Sequence, residues 1–346
     1  MKANYLGRFA IGFLILLLAA CSSGGSSGVA PVDDTSVGTP ETSAAVFRQA
    51  AFGVTATYDV IYAEGQSHIG WNAPGAVTQD LLLDVYQPMN DEVDRPAMVF
   101  IHGGGFIGGD KAQGAPAAFA RYFAERGFVG VSINYRLLGD YGTLPASFSD
   151  AVDAIPLLTI EERDQIKAMY PATRDAKAAL RWLAANAETY GLDPDMISVV
   201  GGSAGSYISL ALGASDLDDY TAELSLDEDP TLATTNLDDE VIVAAVVDHW
   251  GGTATVDLLE IVDGTRRWDL SDAPLSIVHG TEDLTVPYTE AEALVNIYTD
   301  TGAYFELITL EGAGHGAWNT MYNGQRLEPL AFDFVTRMLG IDVQEN

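Results

Sequence analysis

The chain has 346 residues, one Cys, and 17 Lys and Arg against 49 Asp and Glu, which gives a formal charge of −32 at pH 7. So negative a protein is a poor partner for nucleic acid, because binding to phosphates requires clustered cations. Hydrophobic residues make up 48% of the chain, which is too many for a disordered protein. A single Cys excludes an intrachain disulfide and a cysteine-based zinc site. The length predicts one large domain or two small ones.

The chain begins with the features of an export signal. Lys2 and Arg8 flank the start of an apolar run that ends at Ala20, and this run is too short to span a bilayer. The Leu-Ala-Ala-Cys that closes it is similar to a bacterial lipobox, in which the Cys is lipidated. We therefore expect a signal peptide at residues 1–20 and a membrane anchor at Cys21. The alternative is an ordinary secretory signal that a Cys follows by chance.

Residues 22–43 are rich in Ser, Gly, Thr and Pro and show no apolar periodicity. This composition predicts a flexible tether. By resemblance to bacterial lipoproteins, Ser22 after the Cys favours the outer membrane of the cell envelope. The globular domain is expected over residues 44–346.

From residue 44 onward, the patterns of strands and helices alternate. Strands are predicted at Val54–Tyr62, Asp80–Gln87, Ala97–Ile101, Phe128–Asn134, Met196–Val200, Val241–Val247, Leu275–Val278 and Tyr304–Leu310. Helices are predicted at Phe119–Arg126, Thr173–Ala187, Ala204–Leu212, Thr289–Tyr298 and Leu327–Leu339. This alternation predicts an α/β fold with a mostly parallel central sheet and helices on both faces.

Two stretches do not follow the alternation, and a third is unusual in its charge. Gly139–Pro171 and Gly251–Ala273 are predicted to be insertions, and insertions that follow strands are where a lid would lie. Residues 216–240 hold the highest density of acidic side chains and no Lys or Arg. Their spacing does not match a calcium-binding loop, so we expect a solvated excursion of the chain.

The strongest functional motif is Gly-Gly-Ser-Ala-Gly at residues 201–205, between a predicted strand and a predicted helix. A nucleophile elbow has this arrangement, because its strained turn projects a serine above the sheet and needs glycines where a Cβ would clash. The N-terminus of the helix favours negative charge that develops there. Alone, the motif could be a tight turn or a phosphate loop, although it lacks the dinucleotide fingerprint and a Walker lysine. We interpret Ser203 as a candidate nucleophile.

A second motif, His-Gly-Gly-Gly-Phe at residues 102–106, follows the strand that ends at Ile101. Glycines at this place free backbone N–H groups to point into a cleft, as an oxyanion hole requires. The alternative is a flexible turn, but three glycines after a buried strand are costly for stability. With the elbow, this motif matches the His-Gly-Gly-Gly element of esterases.

The candidate base is found among the five histidines. His68 lies in an irregular stretch, His102 belongs to the glycine motif, and His279 ends a strand. His249 follows a strand and could face the cleft. His315 lies in a glycine-rich loop after the last strand, and only this position fits the chain order of serine, then acid, then histidine.

The candidate acid must lie between the serine and the histidine. Asp283 follows the penultimate strand and could reach the imidazole of His315, where it would fix the tautomer. Its neighbour Glu282 is the alternative, while Asp263 and Asp269 fall in the second insertion and are expected to be surface charges.

The residues described so far resemble the α/β-hydrolase fold and, within it, the hormone-sensitive-lipase-like esterases. The resemblance covers about residues 55–340. It is also carried by five short segments: Gly-Gly-Asp-Lys at 108–111, Asn-Tyr-Arg at 134–136, Asp-Ala-Lys-Ala-Ala at 175–179, Arg-Trp-Leu at 181–183 and Tyr-Gly-Leu-Asp-Pro at 190–194. The sequence departs from many relatives at Ser206, where a second glycine is usual, and in a short or missing N-terminal helical cap.

The resemblance implies a Ser-His-Asp triad and an oxyanion hole. By this resemblance, the nucleophile, acid and base of this chain would be Ser203, Asp283 and His315. The oxyanion would be held by the N–H groups at three positions: Gly104, Gly105 and Ala204. The expected activity is hydrolysis of a carboxylic ester, with a small-molecule ester as partner and neither a metal nor a cofactor. Two alternatives are a prolyl-oligopeptidase-like serine peptidase, although no residues remain for a propeller domain, and an inactive binding lipoprotein, although no triad member is missing.

Overall fold

A computed structural model describes residues 44–345, and an eight-stranded sheet forms the centre of this part of the chain. In chain order the strands are β1 (Val46–Phe47), β2 (Val54–Ser67), β3 (Val77–Pro88), β4 (Arg95–Ile101), β5 (Val129–Ile133), β6 (Leu192–Gly202), β7 (Val246–His249), β8 (Leu275–Gly280), β9 (Phe305–Leu310) and β10 (Val343–Gln344). The sheet has the order β2-β3-β5-β4-β6-β7-β8-β9. Strand β3 is antiparallel to both of its neighbours, and the other neighbouring pairs are parallel. The predicted fold class is confirmed.

Helices cover both faces of the sheet. They are α1 (Gly114–Ala124), α2 (Ala146–Ala154), α3 (Ile160–Lys167), α4 (Met169–Ala185), α5 (Ala187–Tyr190), α6 (Ala204–Ala214), α7 (Ala254–Asp263), α8 (Thr289–Thr301) and α9 (Leu327–Met338). In the central strand β4, Val99 and Ile101 contribute to one hydrophobic core and Met98 and Phe100 to the other. Because successive side chains of a strand point to opposite faces, this strand is buried on both sides and its sequence is continuously apolar.

The bounds of some elements differ from the predictions for identifiable reasons. Helix α1 begins at Gly114 rather than Phe119, and α4 begins at Met169 rather than Thr173. Each has a proline in its first turn, where no N–H donor is needed, so the proline does not mark a boundary. The strand predicted at Val241–Val247 is also misplaced, because β7 covers Val246–His249 and Ile242 is exposed.

The two predicted insertions are helical and contact each other. Gly139–Pro171 contains α2, α3 and the first turn of α4, and Gly251–Ala273 contains α7. Helix α2 packs against α7, with Phe148 and Leu258 in the same hydrophobic core. We call α2, α3 and α7 the cap. Strand β7 pairs in parallel with β6, and β5 and β6 both pair in parallel with β4. The segments that follow β5 and β7 therefore lie at the end of the sheet where β6 also ends.

The acidic stretch at residues 216–240 is only in part the solvated excursion that we expected. Six of its acidic side chains are exposed: Asp216, Asp218, Asp227, Glu228, Asp238 and Glu240. Asp219 and Asp229 are buried, and the carboxylate of Asp219 lies 2.7 Å from the guanidinium of Arg267. The ammonium of Lys177 donates to three backbone carbonyls of this stretch. The expectation fails at the two buried acids, because the cations beside them, Arg267 and Arg136, come from other parts of the chain.

The described part of the chain starts at a small sheet of its own. Strand β1 pairs in parallel with β10, and the N–H of Phe47 donates to the carbonyl of Arg126 near the start of β5. The expected signal peptide at residues 1–20, the lipidation site Cys21 and the tether at 22–43 lie outside the described residues. Within residues 44–345, no helix has both the length and the apolar character needed to cross a bilayer, and no three metal-ligating side chains converge.

Candidate active site

Ser203 occupies a sharp turn between β6 and α6. Its φ of 55° lies in the left-handed region, which is strained for a residue with a Cβ. The turn is possible because its neighbours lack side chains, since a Cβ on Gly205 would overlap the carbonyl of Ile101 and one on Gly201 would overlap the backbone of Gly205. The predicted elbow geometry is therefore present. Ser203 is buried to all but 7% of its surface.

The structure brings Ser203, His315 and Asp283 together in one hydrogen-bonded row. Nε2 of His315 lies 2.9 Å from the hydroxyl of Ser203, and its Nδ1 lies 2.7 Å from Oδ2 of Asp283. A carboxylate accepts hydrogen bonds, so the proton of the neutral imidazole belongs on Nδ1 and Nε2 is left to accept the serine hydroxyl proton. This tautomer is the one that general-base catalysis requires.

Asp283 is buried and held by more than the histidine. Its other oxygen, Oδ1, accepts the N–H groups of Thr285 and Val286 at 2.8 and 2.9 Å. Burial raises the pKa of the Asp283 carboxyl, but the hydrogen bond from His315 and these N–H groups outweigh burial and place the pKa below its usual value. The adjacent Glu282 is exposed. Asp283, rather than Glu282, therefore contacts the imidazole as a carboxylate.

The other four histidines have partners outside this row or lie at its edge. His68 bonds to Thr143, and burial lowers the pKa of His249 to about 4, so that its ring is neutral at pH 7. His279 is buried, with Nε2 2.9 Å from the carbonyl of Val286 and 3.6 Å from Oδ2 of the candidate acid. Sequence reasoning did not anticipate this contact, because nothing in the local pattern indicates it.

The carbonyls of the glycine loop are engaged in hydrogen bonds, and these bonds set the direction of the N–H groups that share their peptide planes. Gly104 and Gly105 have φ values of 123° and 62°, which favour glycine. The carbonyl of Gly104 accepts the N–H groups of Ile107 and Gly108 at 3.1 and 3.2 Å. In a trans peptide the N–H points opposite to its carbonyl, so the N–H of Gly105 faces away from its own loop.

His102 fixes the peptide between Gly103 and Gly104 in the same way. Its Nδ1 lies 2.8 Å from the carbonyl of Gly103 and donates to it, and its ring stacks on Tyr135, whose hydroxyl donates to the carbonyl of His102. Burial lowers the pKa of His102, which keeps the ring neutral. This hydrogen bond leaves the N–H of Gly104 directed away from the ring. Within residues 44–345, the N–H groups of Gly104, Gly105 and Ala204 have no hydrogen-bond acceptor.

Ser206 occupies its unusual position without disturbing the elbow. It is fully buried, and its hydroxyl donates a short hydrogen bond to Asp248, which also accepts the N–H of Gly251. Burial raises the pKa of Asp248. The hydroxyl is therefore satisfied inside the protein, and the pairing could not be read from the sequence because its partners are 42 positions apart.

Two tryptophans that sequence reasoning missed lie beside the elbow. The rings of Trp250 and Trp318 are 4.6 Å apart in an edge-on arrangement, and the ring of Trp250 is 6.3 Å from that of His315. A Cβ on Gly202 would overlap the ring of Trp318. The indole thus uses the space left by this glycine, and it connects the loop that carries His315 to the elbow.

A buried carboxyl behind the elbow gives the protein a pH-dependent stability. Burial raises the pKa of Glu290 to about 7, whereas an unfolded chain releases this proton near pH 4.3. The folded state therefore loses stability as the pH rises from about 4.3 to 7. We expect Glu290→Gln to raise the free energy of unfolding at pH 8 by up to about 3 kcal/mol, and to change it little at pH 4, as measured by urea unfolding.

The matched control is Glu292→Gln, because Glu292 is exposed on the same helix, α8. This variant should unfold like the original protein at both pH values. An equal effect of Glu290→Gln at pH 4 and pH 8 would show that packing, rather than ionisation, causes the change.

Comparison with known proteins shows that the chain is similar to several proteins that are named esterases. The family described as BD-FAE matches residues 83–163 and 156–268. Esterase LipC of Mycobacterium tuberculosis is 27% identical over 277 residues, which are 72% of this chain and 60% of that protein. A probable isoprenylcysteine alpha-carbonyl methylesterase of rice, Oryza sativa subsp. japonica, is 26% identical over 67% of this chain and 54% of its own length. The chain thus spans little more than half the length of these curated relatives.

Solved structures show the same fold. A truncated carbohydrate esterase from gut microbiota superposes with a TM-score of 0.57 at 21% identity, over 85% of this chain and 99% of that one. Thermogutta terrifontis esterase 2, phosphorylated by paraoxon, superposes with a TM-score of 0.56 at 23% identity, over 84% and 96% of the two chains. Since the matched segments cover more than half of its residues, the chain belongs to the BD-FAE family and has the α/β-hydrolase fold.

Proposed function

We propose that the protein hydrolyses carboxylic esters through Ser203, with His315 as general base and Asp283 as the group that orients it. The observation that carries this proposal is the row of hydrogen bonds, 2.9 Å from Ser203 to His315 and 2.7 Å from His315 to Asp283. The row ends at the strained elbow that holds the nucleophile. The esterase relatives support the same chemistry.

The reaction begins when the hydroxyl of Ser203 attacks the ester carbonyl and gives its proton to Nε2 of His315. The carbonyl oxygen becomes an oxyanion, which the N–H groups of Gly104, Gly105 and Ala204 stabilise. His315 then returns the proton to the departing alkoxide, and an acyl group remains on the serine. The buried carboxylate of Asp283 stabilises the imidazolium while it holds the proton.

Hydrolysis of the acyl-enzyme uses the same groups in the reverse roles. His315 takes a proton from water, the hydroxide attacks the acyl carbonyl, and the proton returns to Ser203 as the acid leaves. The product is a carboxylate, and the charge of −32 on the protein disfavours the rebinding of an anion.

The substrate class in this proposal is a neutral ester. It is either an ester of a short-chain acid, or an ester that is linked to a carbohydrate or contains an aromatic group. Structural relatives include a carbohydrate esterase, and Thermogutta terrifontis esterase 2 has been solved with propionate and with butyrate bound. A strongly negative protein repels esters that carry additional negative charge, which favours neutral substrates.

A panel of substrates tests the proposal. The panel contains nitrophenyl esters of increasing acyl length, acetylated sugars, feruloyl esters and a prolyl-nitroanilide, each assayed with the original protein and with Ser203→Ala. We expect turnover of the short esters that disappears in the variant. Faster cleavage of the prolyl-nitroanilide would identify a peptidase instead. No turnover, together with no labelling by an organophosphonate, would identify a binding protein.

Export and lipidation also belong to the proposal, which rests here on the lipobox-like sequence that ends at Cys21. We expect Cys21→Ser to release the protein from the membrane fraction without loss of specific activity, since both hydrophobic cores are built from residues 44–345. Fractionation followed by an ester assay measures both properties. A soluble protein that starts at Ala44 and lacks activity would contradict this prediction, as would unchanged membrane retention of Cys21→Ser.

A further inference from the structure

One side chain of the cap donates a hydrogen bond to the glycine loop. Nε2 of Gln165, on the cap helix α3, donates to the carbonyl of Gly105 at 2.6 Å. The next carbonyl, that of Phe106, accepts the N–H of Leu138 at 2.7 Å. The carbonyls of Gly103 and Gly104 therefore accept hydrogen bonds from neighbouring residues of the chain segment that holds the loop. The carbonyls of Gly105 and Phe106 accept from residues between β5 and α4, and only Gln165 does so with its side chain.

The contact matters because the loop cannot hold its own shape well. Three consecutive glycines have large conformational freedom, and each backbone position costs about 1–2 kcal/mol in entropy when it is fixed. The N–H of Gly105 is one of the proposed oxyanion donors, and the carbonyl of Gly105 belongs to the next peptide plane. The φ and ψ torsions of Gly105 join these two planes. A hydrogen bond to the carbonyl restricts ψ and so limits how the two planes can turn relative to each other.

Helix α3 is itself firmly placed, so Gln165 can serve as a fixed point. Thr159 and Glu162 form a reciprocal cap at the N-terminus of the helix. Lys167 pairs with Asp153 of α2 at 2.8 Å, and the indole of Trp71 donates to Asp164 at 2.7 Å. Since α2 packs against α7, both insertions contribute to the position of Gln165.

We propose that Gln165 is a positioning residue, through which the cap holds the oxyanion loop with its N–H groups directed at the reacting carbonyl. This inference rests on the proposed function, because it assumes that an oxyanion forms at Ser203. It adds to that function a role for the first insertion, which supports the reaction centre through the glycine loop. Displacement of the cap from the loop would leave the serine and histidine in place. It would weaken the stabilisation of the oxyanion by the N–H groups of the loop.

The test replaces Gln165 by Met, which has a similar length and no N–H donor, and by His, which keeps a donor. An oxyanion donor contributes about 10² to 10³ in turnover, and a donor that is misdirected rather than removed costs less. We expect Gln165→Met to lower kcat about 10- to 100-fold with KM changed less than about twofold, and Gln165→His to recover part of the loss. The rate of labelling by an organophosphonate should fall in parallel, because its tetrahedral oxygen occupies the same hole.

Gln113→Leu is the matched control, since Gln113 is exposed and its side chain does not cap α1. It should leave all of these rates unchanged. Urea unfolding separates a loss of positioning from a loss of folding, and the expected folded fraction of Gln165→Met is that of the original protein. A normal kcat in Gln165→Met, or a rise in KM alone, would overturn the proposal. Its failure would leave the ester hydrolysis of the original protein intact, whereas an inactive original protein would contradict the proposed function itself.

Discussion

Replacing Ser203 or His315 by Ala is expected to lower turnover by roughly 10⁴ to 10⁶, with little change in stability. The two groups act as one unit, because the serine hydroxyl is a weak nucleophile until the imidazole 2.9 Å away takes its proton. The double variant should therefore be no worse than either single one. Turnover of a nitrophenyl ester, measured beside urea unfolding, checks both parts of this prediction.

The control for this experiment is His249→Asn. His249 is buried and lies with its Nδ1 3.2 Å from the carbonyl of Gly201, but it does not touch the serine hydroxyl. Its replacement should affect stability more than chemistry. If His315→Ala kept near-normal turnover while His249→Asn abolished it in a folded protein, the base would be assigned to the wrong histidine.

Asp283→Asn is expected to lower turnover by roughly 10⁴ while KM changes little. The amide can turn its NH₂ group toward Nδ1 of His315, which would then have to accept and would place the imidazole proton on Nε2. In that tautomer the imidazole cannot take the proton of the serine. A bell-shaped or sigmoid pH profile that is flattened in the variant would report the same change.

Glu282→Gln provides the comparison at the neighbouring position and should cost less than about tenfold. Glu282 is exposed, whereas Asp283 is buried against the imidazole and accepts two backbone N–H groups. Adjacent residues of one loop cannot both meet the same N–H in line. Comparable losses in the two variants would show that the carboxylates share the role, and a larger loss at Glu282 would reverse the assignment.

The parts of this site that could be predicted are those with a local sequence signature. The elbow around Ser203 and the loop after His102 need glycines at fixed positions, and His315 follows from the chain order of the catalytic groups. The parts that could not be predicted join residues far apart in the sequence by ordinary side-chain contacts. Gln165 and Gly105 are 60 positions apart, and the sequence around neither residue indicates the contact.

The errors in the fold have the same origin. An apolar run such as Val241–Val247 shows that a segment is near a core, but it does not show where hydrogen bonding to the next strand begins. The acidic stretch was expected to be solvated throughout, and most of its carboxylates are exposed, but Asp219 is buried because Arg267 pairs with it. In both cases the deciding partner belongs to another part of the chain, which periodicity and composition do not report.

Strand β1, which pairs with β10, lies at the end of the sheet opposite Ser203. Phe47 bonds to Arg126, just before β5 starts, whereas Ser203 follows the last residue of β6, and these two strands run in the same direction. The seven residues of β4 between them span about 23 Å. An anchor attached ahead of Ala44 would therefore enter the domain at the pole opposite the nucleophile. In the proposed lipoprotein, the tether would thus be attached on the side of the domain opposite Ser203, which leaves the side that carries the nucleophile clear of the attachment point.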